Sequence, residues 1–128
     1  MIVYSATSQD VTARVWPIYL DEASNLLDME FAFSYAVHLY NQGPDDLLLI
    51  RRRFTIREGD GRLHDAAGSG ETLEKRPIVP AGEKHVLDER CTLHDFDAVV
   101  EGNYVAQRPN GQRFRIMFPS FPLHAAAN

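Results

Sequence analysis

The sequence predicts an all-β fold, an immunoglobulin- or fibronectin-III-like antiparallel sandwich of seven to eight strands. Three observations carry this. Large apolar residues alternate strictly with small or polar ones over Phe31, Phe33, Tyr35, Val37 and Leu39, the period of a strand with one buried face. Glycine- and proline-rich turns recur along the whole chain. No stretch holds an i, i+3, i+4, i+7 apolar stripe for ten residues, so crossover helices, and with them a parallel sheet, are excluded.

The elements follow in order. Val11, Ala13 and Val15 alternate with Thr12 and Arg14, a shorter copy of the Phe31–Leu39 pattern. Leu20 to Leu27 accommodates one helical turn at most. Asn41-Gln42-Gly43-Pro44 reads as a turn. Beyond it Leu48, Ile50, Phe54 and Ile56 form one alternating set, expected to face the core. Gly59-Asp60-Gly61 is the next turn, and Gly68, Gly70, Pro77, Pro80 and Gly82 interrupt the middle of the chain. Val86, Leu87, Cys91 and Leu93 mark a mixed strand; Ala98, Val100, Tyr104 and Ala106 mark another, with Gly102 in register. Pro109-Asn110-Gly111 is a hairpin signal before Phe114, Ile116 and Phe118. With no linker or repeat, residues 1–128 read as a single domain.

Composition narrows the function. A chain of 128 residues, 45% hydrophobic and 24% charged, buries enough surface for a core without a metal or disulfide staple. The single Cys91 precludes an internal disulfide and points to a reducing compartment. The N-terminus lacks the basic and apolar regions of a signal peptide, and Leu47–Ile50 is far too short to span a bilayer. A cytoplasmic location without membrane attachment is expected. The net charge of −5 argues against nucleic acid as a partner, because phosphate contacts require an excess of lysine and arginine.

Along nearly its whole length the chain resembles the ApaG family. The matching residues are Tyr4-Ser5-Ala6-Thr7, Phe33-Ser34-Tyr35-Ala36-Val37 with Asn41 and Gly43, Leu49-Ile50-Arg51-Arg52, Asp60-Gly61-Arg62, Gly68-Ser69-Gly70 and Pro77. Cys91, Gly102-Asn103-Tyr104, Gly111, Phe114 and Pro119-Ser120-Phe121-Pro122-Leu123 continue the match. The resemblance implies a fibronectin-type sandwich and a bacterial protein. The family it points to is associated with cobalt and magnesium tolerance and with dinucleoside polyphosphate metabolism. Related domains appended to F-box and other adaptor proteins imply a protein-interaction role. The chain departs from the family pattern where the third loop glycine is Leu73, where the following glutamine is Arg76, and where Arg-His-Trp reads Arg52-Arg53-Phe54.

The candidate sites are two. Gly68 and Gly70 could bring backbone N–H groups close to an anion. However, Glu71-Thr72-Leu73-Glu74-Lys75-Arg76-Pro77 offers no helix N-terminus behind them, so a plain connecting loop is the simpler reading. The arginines are more informative. Arg51, Arg53 and Arg57 are expected in one outward row, and Arg113 and Arg115 in a second, with planar forks suited to phosphate or carboxylate, although a solvated face paired across strands with Asp and Glu is the simpler reading. Arg52 falls on the inward set, so it must sit at a mouth of the sandwich, pair with a carboxylate, or be rotated outward by a bulge.

No metal ligand set is expected, since His38, His64, His85, His94 and His124 lack the short spacings of a metal site. His94 with Asp95 and Asp97, and His64 with Asp65, read as exposed loop residues before they read as a cation site. Cys91 reads as a packing thiol, and no nucleophile signature is present, so no catalytic residue and no cofactor are expected. The expectation is a non-catalytic binding domain with a protein partner. Tyr40 and the Pro119–Pro122 segment would offer contact area. A pyrophosphate or nucleotide ligand at the arginines is the alternative, and homo-oligomerisation is left open.

Overall fold

A computed structural model describes residues 2–66 and 76–126. It contains ten strands: β1 (Tyr4–Ser8), β2 (Val11–Tyr19), β3 (Phe31–Asn41), β4 (Leu47–Glu58), β5 (Leu63–Asp65), β6 (Ile78–Val79), β7 (Lys84–Leu93), β8 (Asp97–Gln107), β9 (Arg113–Met117) and β10 (Phe121–His124). Among the described residues one 3-10 turn, Asp21–Ala23, is the sole helical piece. No helix there is long and apolar enough to cross a membrane.

The strands form two antiparallel sheets face to face. The first has the order β1-β2-β3-β7. In the second, β8 and β4 lie side by side, and each outer position is shared by two short strands. β10 and β9 follow one another along β8, while β5 and β6 flank β4. The strand count therefore exceeds the expected seven to eight. Strands of two to four residues are too short to show an alternation, which is why β5, β6 and β10 leave little trace in the sequence.

The core lies where the alternations place it. Phe31, Phe33, Tyr35, Val37 and Leu39 are all buried, opposite Val11, Ala13 and Val15 on β2 and facing Phe54, Ile56, Val100, Tyr104 and Ile116 of the second sheet. Aromatic packing joins the layers: Tyr35 meets Phe54 and Phe121, and Phe54 stacks on Phe118 at 4.9 Å. Such contacts add to the area each ring buries. The β8–β9 hairpin turns at Gly111, whose φ of 88° a side chain would strain.

Two expectations need correction. On β4 the register slips between Leu49 and Arg51, a β-bulge centred on Ile50. Before the bulge Leu47 and Leu49 point inward and Leu48 outward; after it Phe54 and Ile56 point inward. Leu48 is thus not a core residue, and a single alternating set cannot describe the strand. The second correction concerns Pro119–Pro122. Phe121 is fully buried as the start of β10 and Phe118 is buried beside it, so these rings build the core and are not contact area for a partner. Tyr40 is half-buried on the outer face of the first sheet, with the Arg14 guanidinium 5.0 Å above its ring.

Candidate functional site

β4 carries arginines on both of its faces, and the bulge decides which goes where. Downstream of Ile50 the even-numbered residues face the other sheet, so Arg52 points into the sandwich between Ile50 and Phe54. Its guanidinium donates to the Glu89 carboxylate on β7. The two side chains are 14% and 22% exposed, so the pair sits just inside the gap between β4 and β7. Of the three outcomes open to an inward arginine, it adopts the first two together: it lies near a mouth and has a carboxylate partner.

A small polar cluster surrounds this pair. The Arg52 guanidinium also donates to the Tyr104 hydroxyl, and Tyr35 lies within electrostatic reach of both charges. Burial is the largest influence on the titration of both tyrosines and of nearby Cys91. It pushes the Tyr104 hydroxyl up to about 12, holds Tyr35 higher still, and raises the Cys91 thiol to about 11, with nearby Glu89 adding to the last two. His85, edge-on to Tyr104 at 6.4 Å, is held below the usual imidazole value by burial. Tyr35, Tyr104, Cys91 and His85 are each biased toward the neutral form. Glu89 could have been anticipated: it belongs to the same alternating set as Leu87, Cys91 and Leu93, a carboxylate on an otherwise inward face.

The outward arginines meet on the outer face of the second sheet. Arg51, Val105 and Arg115 lie in one cross-strand row and Arg53, Asn103 and Met117 in the next; Leu48, Gln107 and Arg113 make a third. β4 and β9 are separated only by β8, so the two arginine columns stand roughly 10 Å apart. Arg51, Arg53, Arg113 and Arg115 are exposed, no acidic side chain stands in these three rows, and no ion pair to any of the four occurs among the described residues. Arg113 donates to Gln107 Oε1 at 2.9 Å.

Arg57 is set apart from this quartet. The row Asp65–Thr55–Glu101 lies between them and places two carboxylates across the face. Arg57 lines a shallow depression of about 270 Å³ with Thr55, Leu63, Val99 and Glu101. Apolar side chains are interleaved with the charges: Leu63, Ile78, Val99 and Met117 are exposed on this face.

Gly68 and Gly70 lie outside the described residues. Their flanks are defined, with Asp65 opposite Thr55 and Ile78 opposite Leu48, so the chain leaves and rejoins the same edge of β4. The histidines are dispersed. His124 pairs with Asp97, and His64 Nε2 lies 3.3 Å from Glu58. Among the described residues no three His, Cys, Asp or Glu side chains gather as a metal-binding set. Near the termini a cleft of about 470 Å³ is walled by Tyr4, Pro17, Tyr19, Phe33, Leu123 and His124. It holds no arginine or lysine and is chemically unlike the arginine face.

Comparison with known proteins agrees with this architecture. The chain is 29% identical over 121 residues to Protein ApaG of Paramagnetospirillum magneticum, covering 94% of this chain and 92% of that one. It is 31% identical to Protein ApaG of Caulobacter vibrioides, over 94% and 86% of the two chains. The crystal structure of a Bordetella pertussis protein described as ApaA superposes with a TM-score of 0.82 at 27% identity, covering 90% of this chain and 93% of that one. The ApaG domain profile matches residues 21–108, from the 3-10 turn through the end of β8, and the chain belongs to the ApaG domain family.

Proposed function

We propose that this ApaG domain is a non-catalytic binding module that takes an acidic segment of a partner protein on the outer face of its second sheet. The observation that carries the reading is the quartet Arg51, Arg53, Arg113 and Arg115, without carboxylate partners among the described residues and interleaved with exposed Ile78 and Met117. On a chain of net charge −5 such a patch selects acidic ligands while the rest of the surface repels them. Arginine with apolar neighbours is the composition of protein contact sites, and a flat sheet face suits a chain segment better than an enclosed small molecule. The non-catalytic part is supported by the interior chemistry: Cys91, Tyr35 and Tyr104 are all held in the protonated form, contrary to the need of a nucleophile or base.

A short Glu/Leu peptide and pyrophosphate separate this reading from simple anion binding. Calorimetric titration should show saturable peptide binding that weakens with added salt. Replacing Arg51, Arg53, Arg113 and Arg115 together by Gln should abolish it, and Met117→Ser should weaken the peptide severalfold while leaving pyrophosphate unaffected. No saturable peptide binding at millimolar concentration would overturn the proposal. Pyrophosphate binding alone would move the function to a small polyphosphate or nucleotide on the same arginines.

A further inference from the structure

The two sheets manage their edges differently. Along the second sheet no outer strand among the described residues exceeds the five residues of β9. In the first sheet β1 is also short, and Ser8 at its end accepts a hydrogen bond from the Met117 N–H of β9 at 2.9 Å. β7 is the exception: ten residues, paired with β3 on one side and, among the described residues, with no strand on the other. A long row of backbone donors and acceptors facing solvent is a template for another strand.

The outward side chains of β7 indicate which strand fits. They read Lys84, Val86, Asp88, Arg90 and Thr92. Within the chain Asp88 faces Ala36 and Arg90 faces Ser34 across β3, and no ion pair to either occurs among the described residues. Two charges of opposite sign two positions apart complement a second copy of themselves when the strand runs antiparallel about the residue between them.

We propose that two copies of the chain join edge to edge through β7, antiparallel about a two-fold axis at Glu89, so that Asp88 of each copy faces the partner's Arg90. This register also sets Val86 opposite the partner's Thr92. Moving the axis to Asp88 would oppose two aspartates, moving it to Arg90 two arginines, and moving it to Leu87 would oppose Lys84 and Arg90. Like charges directly opposite are destabilising, so these three registers are disfavoured. Shifts by a single residue are barred because they would set an outward side chain opposite an inward one. On the inner face each Glu89 keeps its own Arg52, so two ion pairs, and not two bare carboxylates, meet at the axis. The interface is isologous and closes at two copies, giving one continuous eight-stranded sheet from the two four-stranded ones. It leaves the arginine face uncovered in both copies and does not depend on that face binding anything.

Sedimentation of the full chain tests this by charge reversal. The wild type should associate reversibly to a dimer as concentration rises. Asp88→Arg and Arg90→Asp should each weaken association at least tenfold while circular dichroism stays unchanged, since both side chains are exposed. Mixing the two variants should restore dimer, because one then presents Arg at 88 and 90 and the other Asp at both. A wild type that stays monomeric to millimolar concentration would overturn the proposal. So would single variants that dimerise like wild type, or a mixture that stays monomeric.

Discussion

Arg52 on β4 and Glu89 on β7 form an ion pair that ties the second sheet to the first at their open side. Its charges are mostly withdrawn from water, so each partner depends on the other. Arg52→Ala or Glu89→Ala should each lower stability in urea unfolding by about 2–3 kcal/mol, because each leaves a charge uncompensated. The double variant Arg52→Met, Glu89→Leu should come within about 1 kcal/mol of wild type, since apolar residues can replace such a pair. A double variant as unstable as the sum of the singles would show that the pair does not act as a unit.

Gly102 on β8 lies against the backbone of Arg53: a Cβ there would stand 2.4 Å from the Arg53 carbonyl oxygen and 2.7 Å from Phe54 Cδ1. Neither neighbour can retreat, one being main chain and the other ring stacked on Phe118. Gly102→Ala should cost about 2 kcal/mol, the scale of forced core repacking. Thermal melts measure it; an unchanged melting temperature would mean that β4 and β8 separate freely at this point.

Phe33 is 1% exposed near the start of β3, 5.5 Å from the Tyr19 ring. Phe33→Asp places an unpaired carboxylate there and should prevent folding at neutral pH, visible as loss of the cooperative melt.

The Cys91 thiol, raised by burial and by Glu89 and Glu58 to about 11, should alkylate slowly. At pH 8 its thiolate population is about a hundredfold below that of an ordinary thiol with pKa near 9. Iodoacetamide labelling in native buffer should lag the urea-unfolded chain by at least that factor. The sign for stability follows: the unfolded chain loses this proton first, so the contribution is complete below pH 9 and declines between about 9 and 11. Cys91→Ser should flatten that part of the profile.

The fold was legible because its central strands are long and buried on one face. β3 alternates large apolar with small or polar residues over the nine positions from Phe31 to Leu39, and β8 keeps its alternation through Gly102. β4 was half legible. The sequence pattern Leu48, Ile50, Phe54, Ile56 looks continuous, yet Leu48 belongs to the other face, because a bulge inserts a residue without any distinctive residue type at Ile50. The arginine face was legible as two rows, since Arg51/Arg53 and Arg113/Arg115 each stand at alternate positions, on either side of inward Arg52 and inward Phe114. What could not be read was the intervening strand. Only the pairing of β8 with both β4 and β9 shows that Asn103, Val105 and Gln107, and not acids, separate the quartet, while Glu101 isolates Arg57.

The extra residue at Ile50 works like a frameshift in a two-letter code. Upstream of it odd positions are interior, as at Leu47 and Leu49; downstream even ones are, as at Arg52, Phe54 and Ile56. Straightening the strand with Ile50 kept in the ladder would impose a single frame, and the pairing of β4 with β8 could then satisfy only one half. Keeping the upstream half would turn Arg51, Arg53 and Arg57 toward the core and Phe54 and Ile56 toward water. The basic character of the outer face and the apolar character of the inner one are therefore inherited together, through the length of one strand. Point substitutions can tune either face; removing Ile50 would erase the bulge and keep both faces, whereas an insertion or deletion elsewhere in β4 turns the residues between it and the bulge to the opposite face.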